Sequence, residues 1–301
     1  MTQSIQFSNP EVSQFLARGK YLDLNGHTIF SFSAKSKHKD APTLLLIHGF
    51  PTSSWDWLPI VDALTSFGNV HAIDMLGFGF SDKPNARNYT ISQQADFQAS
   101  LLAQCGNKPV HILAHDYGVS VAQELLARQF LNESHLNIRS CCFLNGGLFP
   151  ETHKALLIQK LLLSPLGPML NKFLAFDKFK KSFSHVFGQN SKPTEQELTD
   201  FWEIINFNDG KHVFHNLITY MRDRKTHRQR WLSALQQSPL PLALINGSVD
   251  PVSGHHLVQR YKELECRLDH LTELPTIGHY PQVEAPGQVS SAYLEFLQTL
   301  D

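Results

Sequence analysis

From Gly19 onward the chain alternates short apolar runs with longer amphipathic stretches. Tyr21–Leu24 and Thr28–Ser33 read as two strands, and the Asn25-Gly26 pair between them is a strong two-residue hairpin signal. Thr43–Ile47 is an unbroken apolar run, as a parallel strand covered on both faces should be. Helical spacing over Ser53–Phe67 precedes a strand at Val70–Ile73. A helix at Ile91–Cys105, a strand at Val110–Ala114, a helix at Val119–Phe130 and a strand at Ile138–Leu144 follow. Between Gly147 and Ser238 the pattern turns helical almost throughout. The strand rhythm returns at Leu240–Ile245, followed by a helix over Gly254–Leu264, a strand at Leu271–Leu274 and a closing helix over Pro286–Leu300. Strands alternating with helices predict an α/β fold whose mostly parallel central sheet is flanked by helices. The helical block predicts a lid over residues 148–238, inserted between core segments 1–147 and 239–301.

Composition narrows the function classes. A chain of 301 residues suits one α/β core with an insertion. With 26 basic and 27 acidic residues the net charge is −1, so no bulk field draws nucleic acid or an anionic membrane. Apolar residues make up 42% and charged residues 18%, as in a folded soluble enzyme. The 21 phenylalanines suit a core or an apolar pocket. Cys105, Cys141, Cys142 and Cys266 have no C-x-x-C spacing, which favours a reduced compartment and a cytoplasmic location. Met1–Arg18 lacks the basic start and apolar block of a signal peptide. No apolar stretch of about 18 residues is present to span a bilayer. The nearest, Ala155–Phe176, is broken by Lys160, Pro165, Pro168 and Lys172 and reads as lid helices.

In an open α/β sheet the active groups lie beyond the carboxyl ends of the strands, and four loops there carry candidate chemistry. His48-Gly49-Phe50-Pro51 follows the strand Thr43–Ile47; the Phe50 amide could face an oxyanion, and His48 is either a substrate contact or a buried structural residue. Ala114-His115-Asp116-Tyr117-Gly118 has the small-x-nucleophile-x-Gly frame of a nucleophile elbow, with aspartate in the middle. Alone, Asp116 could equally be a helix N-cap; its place after a buried strand, among the other loops, favours a nucleophile. Asn246-Gly247-Ser248-Val249-Asp250-Pro251 offers a carboxylate to orient a histidine, although a turn aspartate before proline is common. The competing position after Ile138–Leu144 holds Asn145, which lacks the charge. Ile277-Gly278-His279-Tyr280-Pro281 follows the last strand and completes the order nucleophile, acid, histidine. His212 and His215 are three apart with no third ligand, and no phosphate loop or dinucleotide fingerprint occurs, so neither metal nor cofactor is expected.

These residues carry a family likeness. Together with Leu76-Gly77-Phe78-Gly79-Phe80-Ser81-Asp82-Lys83-Pro84 and Asn145-Gly146-Gly147-Leu148-Phe149-Pro150-Glu151-Thr152-His153, they resemble the epoxide hydrolase and haloalkane dehalogenase branch of the α/β-hydrolase superfamily. The second of these segments is particular to the subgroup of mesoderm-specific transcript-like hydrolases. The resemblance implies an α/β-hydrolase fold with Asp116 as nucleophile, His279 as base, Asp250 as its partner, and the Phe50 and Tyr117 amides as oxyanion hole. It further implies an alkyl-enzyme ester cleaved by water, and a small apolar substrate. Dehalogenases of this branch typically carry Trp where this chain has Tyr117, and epoxide hydrolases use lid tyrosines, for which Tyr220 is the candidate here. The expected activity is epoxide hydrolase-like. Haloalkane dehalogenation, ester hydrolysis and, from another class, non-catalytic ligand binding are the alternatives. Phe149, Leu161, Leu162, Phe173, Phe176, Phe183, Phe201 and Trp202 are candidate pocket residues, Trp202 foremost. The basic run Arg222–Arg230 reads as a solvated helix face.

Overall fold

The computed structural model describes residues 7–85, 89–106, 108–152, 157–164, 166–172 and 174–300. An eight-stranded sheet runs through it: β1 (Lys20–Leu24), β2 (His27–Ala34), β3 (Thr43–Ile47), β4 (Asn69–Ile73), β5 (Val110–Ala114), β6 (Ile138–Phe143), β7 (Leu242–Gly247) and β8 (His270–Leu274). Their spatial order is β1-β2-β4-β3-β5-β6-β7-β8. The first two junctions are antiparallel and the rest parallel. At the hairpin tip Asn25 and Gly26 have φ of 53° and 77°, as a type I′ turn requires.

Alternation along each buried strand divides the core between the two faces of the sheet. Leu45, Ile47, Ile112, Ala114, Leu242 and Leu244 point to one apolar cluster, and Leu44, Leu46, Leu113, Ala243 and Ile245 to the other. Every residue of β3, β5 and β7 is buried, which is why their sequences show no polar alternation.

The core helices are α1 (Pro10–Arg18), α2 (Leu58–Leu64), α3 (Ile91–Gln104) and α4 (Tyr117–Phe130). Between β6 and β7 the described elements are helical: α5 (Leu157–Leu162), α6 (Gly167–Lys172), α7 (Phe176–His185), α8 (Glu195–Asn206), a 3₁₀ stretch (Phe207–Val213), α9 (Phe214–Leu217), α10 (Tyr220–Thr226) and α11 (Arg228–Gln237). After β7 come α12 (His255–Glu263), α13 (Pro281–Glu284) and α14 (Pro286–Gln298). A reciprocal capping box of Thr194 and Glu197 starts α8.

Several boundaries differ from the sequence expectation. The α4 helix begins at Tyr117 rather than Val119, so the turn after Asp116 is tighter than its glycine suggested. The strand expected at Leu240 starts at Leu242, past Pro241, which has no N–H to join a ladder. The expected helix over 53–67 is a 3₁₀ turn at Ser54–Trp57 followed by the shorter α2. Helix α1, for which the sequence pattern gave no expectation, is capped by Asn9, which accepts the Glu11 amide, and carries Pro10 in its first turn. It buries Val12 and Phe15, the latter stacked on Phe32 at 5.0 Å. The four cysteines are free thiols. Among the described residues no helix is long and apolar enough to cross a membrane.

The chain adds β4 on one side of β3 and then returns to place β5 on the other. The loops after β3 and β5 therefore diverge and leave a crevice. At its base α4 passes so close to β3 that a Cβ on Gly118 would lie 2.3 Å from the Ile47 carbonyl oxygen and 2.7 Å from that of His48. Backbone cannot step aside as a side chain can. Gly118→Ala is expected to cost about 3 kcal/mol or more, lowering Tm by roughly 5 °C or more in a thermal melt. An unchanged Tm would show that α4 can slide on the sheet.

Candidate active site

Asp116 sits in the turn from β5 into α4 with φ 42° and ψ −104°. Such a conformation costs an L-residue on the order of 1–3 kcal/mol and persists only where the surroundings impose it. Here the Asp116 amide donates to the Asn145 carbonyl at 2.8 Å, beyond the end of β6, and its carbonyl accepts from Arg224 Nη2 at 3.1 Å. The turn pushes the carboxylate up into the crevice. Oδ2 accepts the Phe50 amide at 3.1 Å, and Oδ1 lies 3.8 Å from His279 Nε2. Tyr117 is the first residue of α4, where a helix amide has no intrahelical acceptor and the helix field favours negative charge.

His279 follows β8, and its Nδ1 lies 2.7 Å from Asp250 Oδ2. Asp250 also accepts from the Val252 amide (2.7 Å), the Ser253 amide (3.0 Å), the Ser253 hydroxyl (2.7 Å) and Asn145 Nδ2 (3.0 Å). Burial alone would raise the Asp250 pKa, but the charge and hydrogen bond of His279 and the Ser253 and Val252 donors outweigh it and hold it at about 2. Burial alone would lower His279; the Asp250 carboxylate, then Asp116, reverse this and raise it to about 9. Imidazolium between two carboxylates is the resting state at neutral pH. Its Nδ1–H is held on Asp250, so Nε2–H faces Asp116.

A mostly apolar cavity opens over Asp116 and His279. Phe50, Pro51, Leu162, Leu174, Phe179, Phe183, Val186, Trp202, Phe214, Val252 and Tyr280 form its wall, with Gln159 and Ser182 adding polar groups. A small apolar molecule fits such a wall, and the few convergent polar groups would orient it. Of the pocket residues expected from sequence, Leu162, Phe183 and Trp202 stand on the wall. Phe149 and Phe201 are buried in core packing, Leu161 is exposed, Phe176 packs against Trp202 at 5.9 Å, and Phe173 lies outside the described residues.

Other expectations need correction. His48 does not reach the cavity. Its Nδ1 donates to the Gly49 carbonyl (2.9 Å) and its Nε2 accepts the Met75 amide (3.0 Å), so both ring nitrogens are used in tying the loop after β3 to that after β4. Tyr220 is not on the wall either. It is fully buried, edge-on to Tyr117 at 4.8 Å, with the Arg224 guanidinium 4.4 Å from its ring centroid. The basic run is only in part a solvated face: Arg222 and Lys225 are exposed, but Arg224 is 2% exposed and lies beneath the Asp116 turn. Arg228 pairs with Glu151, and Arg230 with Glu124 and Glu133.

Three contributors escaped the sequence reading. Arg224 looks like any other basic residue in its run; only its i, i+4 spacing from Tyr220 hints that both share a buried face of α10. Asn145 was weighed as a failed acid, yet it bridges β6 to the Asp250 loop, accepting the Gly247 amide (2.7 Å) and donating to Asp250. Glu284 accepts the amides of Gly278 (2.9 Å), Tyr280 (3.0 Å) and Gly188 (2.8 Å), so it clamps the His279 loop to the helical insertion. A glutamate five residues beyond a histidine carries no signal in sequence.

Fold and site together define a hydrolase, and residues 44–292 match the model of the alpha/beta hydrolase family. The chain belongs to that family. It is 40% identical to the mesoderm-specific transcript protein of Mus musculus over 298 residues, covering 97% of this chain and 89% of that one. It is 36% identical to the putative hydrolase LipZ of Mycobacterium tuberculosis over 290 residues, covering 96% and 99%. Among solved structures, a haloalkane dehalogenase DbeA loop variant from Bradyrhizobium elkanii superposes with a TM-score of 0.75 at 19% identity, covering 94% of this chain and 97% of that one, which shows the shared fold.

Proposed function

We propose that the protein hydrolyses a small apolar epoxide through an ester on Asp116, with the helical insertion as the lid of its cavity. The observation that carries this reading is the Asp116 carboxylate, held between the Phe50 amide and the His279 ring and facing the apolar cavity. A carboxylate is already ionised at neutral pH and can attack saturated carbon without a base. Oδ1 attacks a ring carbon, the C–O bond breaks, and the released alkoxide takes the proton of the His279 imidazolium. His279 is thereby left neutral, and the ester no longer carries the Asp116 charge that helped raise its pKa. Neutral His279 then takes a proton from water as the hydroxide adds to Cγ, while the Phe50 and Tyr117 amides hold the oxyanion. Collapse expels Oδ1 with the product. That alkoxide is protonated by His279, and the new Asp116 carboxyl returns its proton to the ring.

The raised His279 pKa favours the epoxide over a haloalkane in this reading. A departing halide needs no proton, and an imidazolium would then have to shed one to solvent before serving as base. It also removes the need for a lid tyrosine as proton donor.

The test mixes wild-type protein, which keeps the His279 proton that the first step uses, with 1,2-epoxyhexane and, separately, 1-bromohexane, and quenches each in acid before the ester is hydrolysed. Peptide mass spectrometry is expected to find Asp116 heavier by the mass of the added epoxide. Adduct from the bromide alone would shift the reading to dehalogenation, and no adduct from either would reject the ester mechanism.

A further inference from the structure

Resting on that mechanism, we infer that Arg224 is built into the lid to drive the second half of the reaction, the hydrolysis of the Asp116 ester. The guanidinium is 2% exposed. Nε donates to Ser120 Oγ at 2.8 Å, Nη2 donates to the Asp116 carbonyl at 3.1 Å, and the same Nη2 is 3.8 Å from Asp116 Oδ1. The face of Tyr220 supports it from the other side. A Cβ on Gly147 would lie 2.2 Å from Nη1, so the backbone after β6 leaves the guanidinium its space. The charge thus arrives from the insertion and is fixed from four directions, at one oxygen of the reacting carboxylate.

That oxygen decides what the charge does. Oδ2 is held by the Phe50 amide, which leaves Oδ1, on the His279 side, as the attacking atom. In the first step Oδ1 begins with negative charge and loses it on forming the bond to carbon. A cation beside it stabilises the ground state more than the transition state and gives no acceleration. In the second step negative charge develops on the tetrahedral carboxyl and then on Oδ1 as it leaves with the product, since water supplies the replacement oxygen. Arg224 stabilises both in a site where water cannot screen the charge. The four charges of the resting site, Asp116, Asp250, His279 and Arg224, sum to zero.

The expected signature is a split between the two half-reactions. Arg224→Met should leave the rate of adduct formation unchanged or a few-fold faster and slow hydrolysis of the adduct roughly 10- to 100-fold. Asp116 adduct would then accumulate in an enzyme that still has His279. Arg224→Lys should recover part of the hydrolysis rate, since it keeps the charge and loses the fork. If Arg224→Met does not fold, Gly147→Ala is read in its place: its Cβ would lie 2.2 Å from Nη1 and 2.7 Å from Cζ, so it pushes the guanidinium away from its position beside Asp116 and should slow hydrolysis selectively. Rapid quench with 1,2-epoxyhexane and peptide mass spectrometry gives both rates. Equal slowing of both steps, or no slowing of hydrolysis, overturns the inference and leaves Arg224 a structural residue.

A second arm needs no substrate. NMR titration of His279 in the free protein should give a higher pKa in Arg224→Met than in wild type, because one cation has left its surroundings while Asp250, Asp116, Glu284 and His115 remain. An unchanged titration would show that the Arg224 charge is not felt at the reacting groups and would overturn the inference. If neither probe leaves an adduct on Asp116 in the acid-quenched wild-type protein, the proposed function has failed, and this titration still decides the role of Arg224.

Discussion

Asp116→Asn is expected to abolish turnover of 1,2-epoxyhexane, by on the order of 10⁴-fold or more, while the far-UV circular dichroism stays that of the folded protein. The carboxamide is nearly isosteric with the carboxylate but has no nucleophilic oxygen at neutral pH. The fold should survive because Asn matches Asp in shape, and the turn is held by main-chain bonds to Asn145 and Arg224 that the substitution does not touch. The measurement is a steady-state rate paired with intact-protein mass. Full activity in protein that still weighs as the asparagine form would remove Asp116 from the mechanism. Activity that returns as the mass rises by the amide-to-acid difference would instead support it, since it means the site hydrolyses its own asparagine.

Asp250→Asn is expected to lower turnover roughly 10²–10⁴-fold, and to do so with a signature in pH. All five hydrogen bonds that Asp250 makes with His279, Asn145, Val252 and Ser253 come from donors. An Asn must aim its NH₂ at one of them, either Val252 from the Oδ1 side or the cluster around Oδ2. That unmet contact should cost about 1–3 kcal/mol and lower Tm. The larger effect is electrical. Without the buried anion His279 loses the main cause of its raised pKa, so it no longer rests as the imidazolium that protonates the opened ring.

The pH dependence of stability follows from the same two groups. His279 is raised from an ordinary 6.5 to about 9, so its contribution is fully present below 6.5 and is lost as pH rises through about 9. Asp250 is lowered from 3.8 to about 2, so its contribution is present above 3.8 and is lost as pH falls towards about 2. The wild-type Tm should therefore decline between about pH 6.5 and 9.5, and in Asp250→Asn that decline should be much flatter. Parallel Tm curves for the two proteins would mean that His279 and Asp250 are not the coupled pair.

These expectations depend on contacts of very different legibility. The strand and helix rhythm determined the sheet and the helical insertion, because β3, β5 and β7 are buried on both faces and are mostly apolar. The loops holding Phe50, Asp116, Asp250 and His279 could be located because this topology places the carboxyl ends of the parallel strands β3 to β8 at one edge of the sheet. Residue type and position then narrowed the chemistry. What the sequence could not determine was which side chains turn inward from the insertion. Tyr220 and Arg224 share one face of α10, and that face docks on the elbow instead of on the cavity, so the expected wall residue became a support and the expected surface cation became buried. His48 is similar: whether an imidazole faces substrate or backbone depends on the Met75 amide, 27 residues away in the chain and 3.0 Å away in space. Periodicity reports how often a chain turns towards the core. The partner met there is set by packing between elements distant in sequence, and for this protein only the tertiary structure decided it.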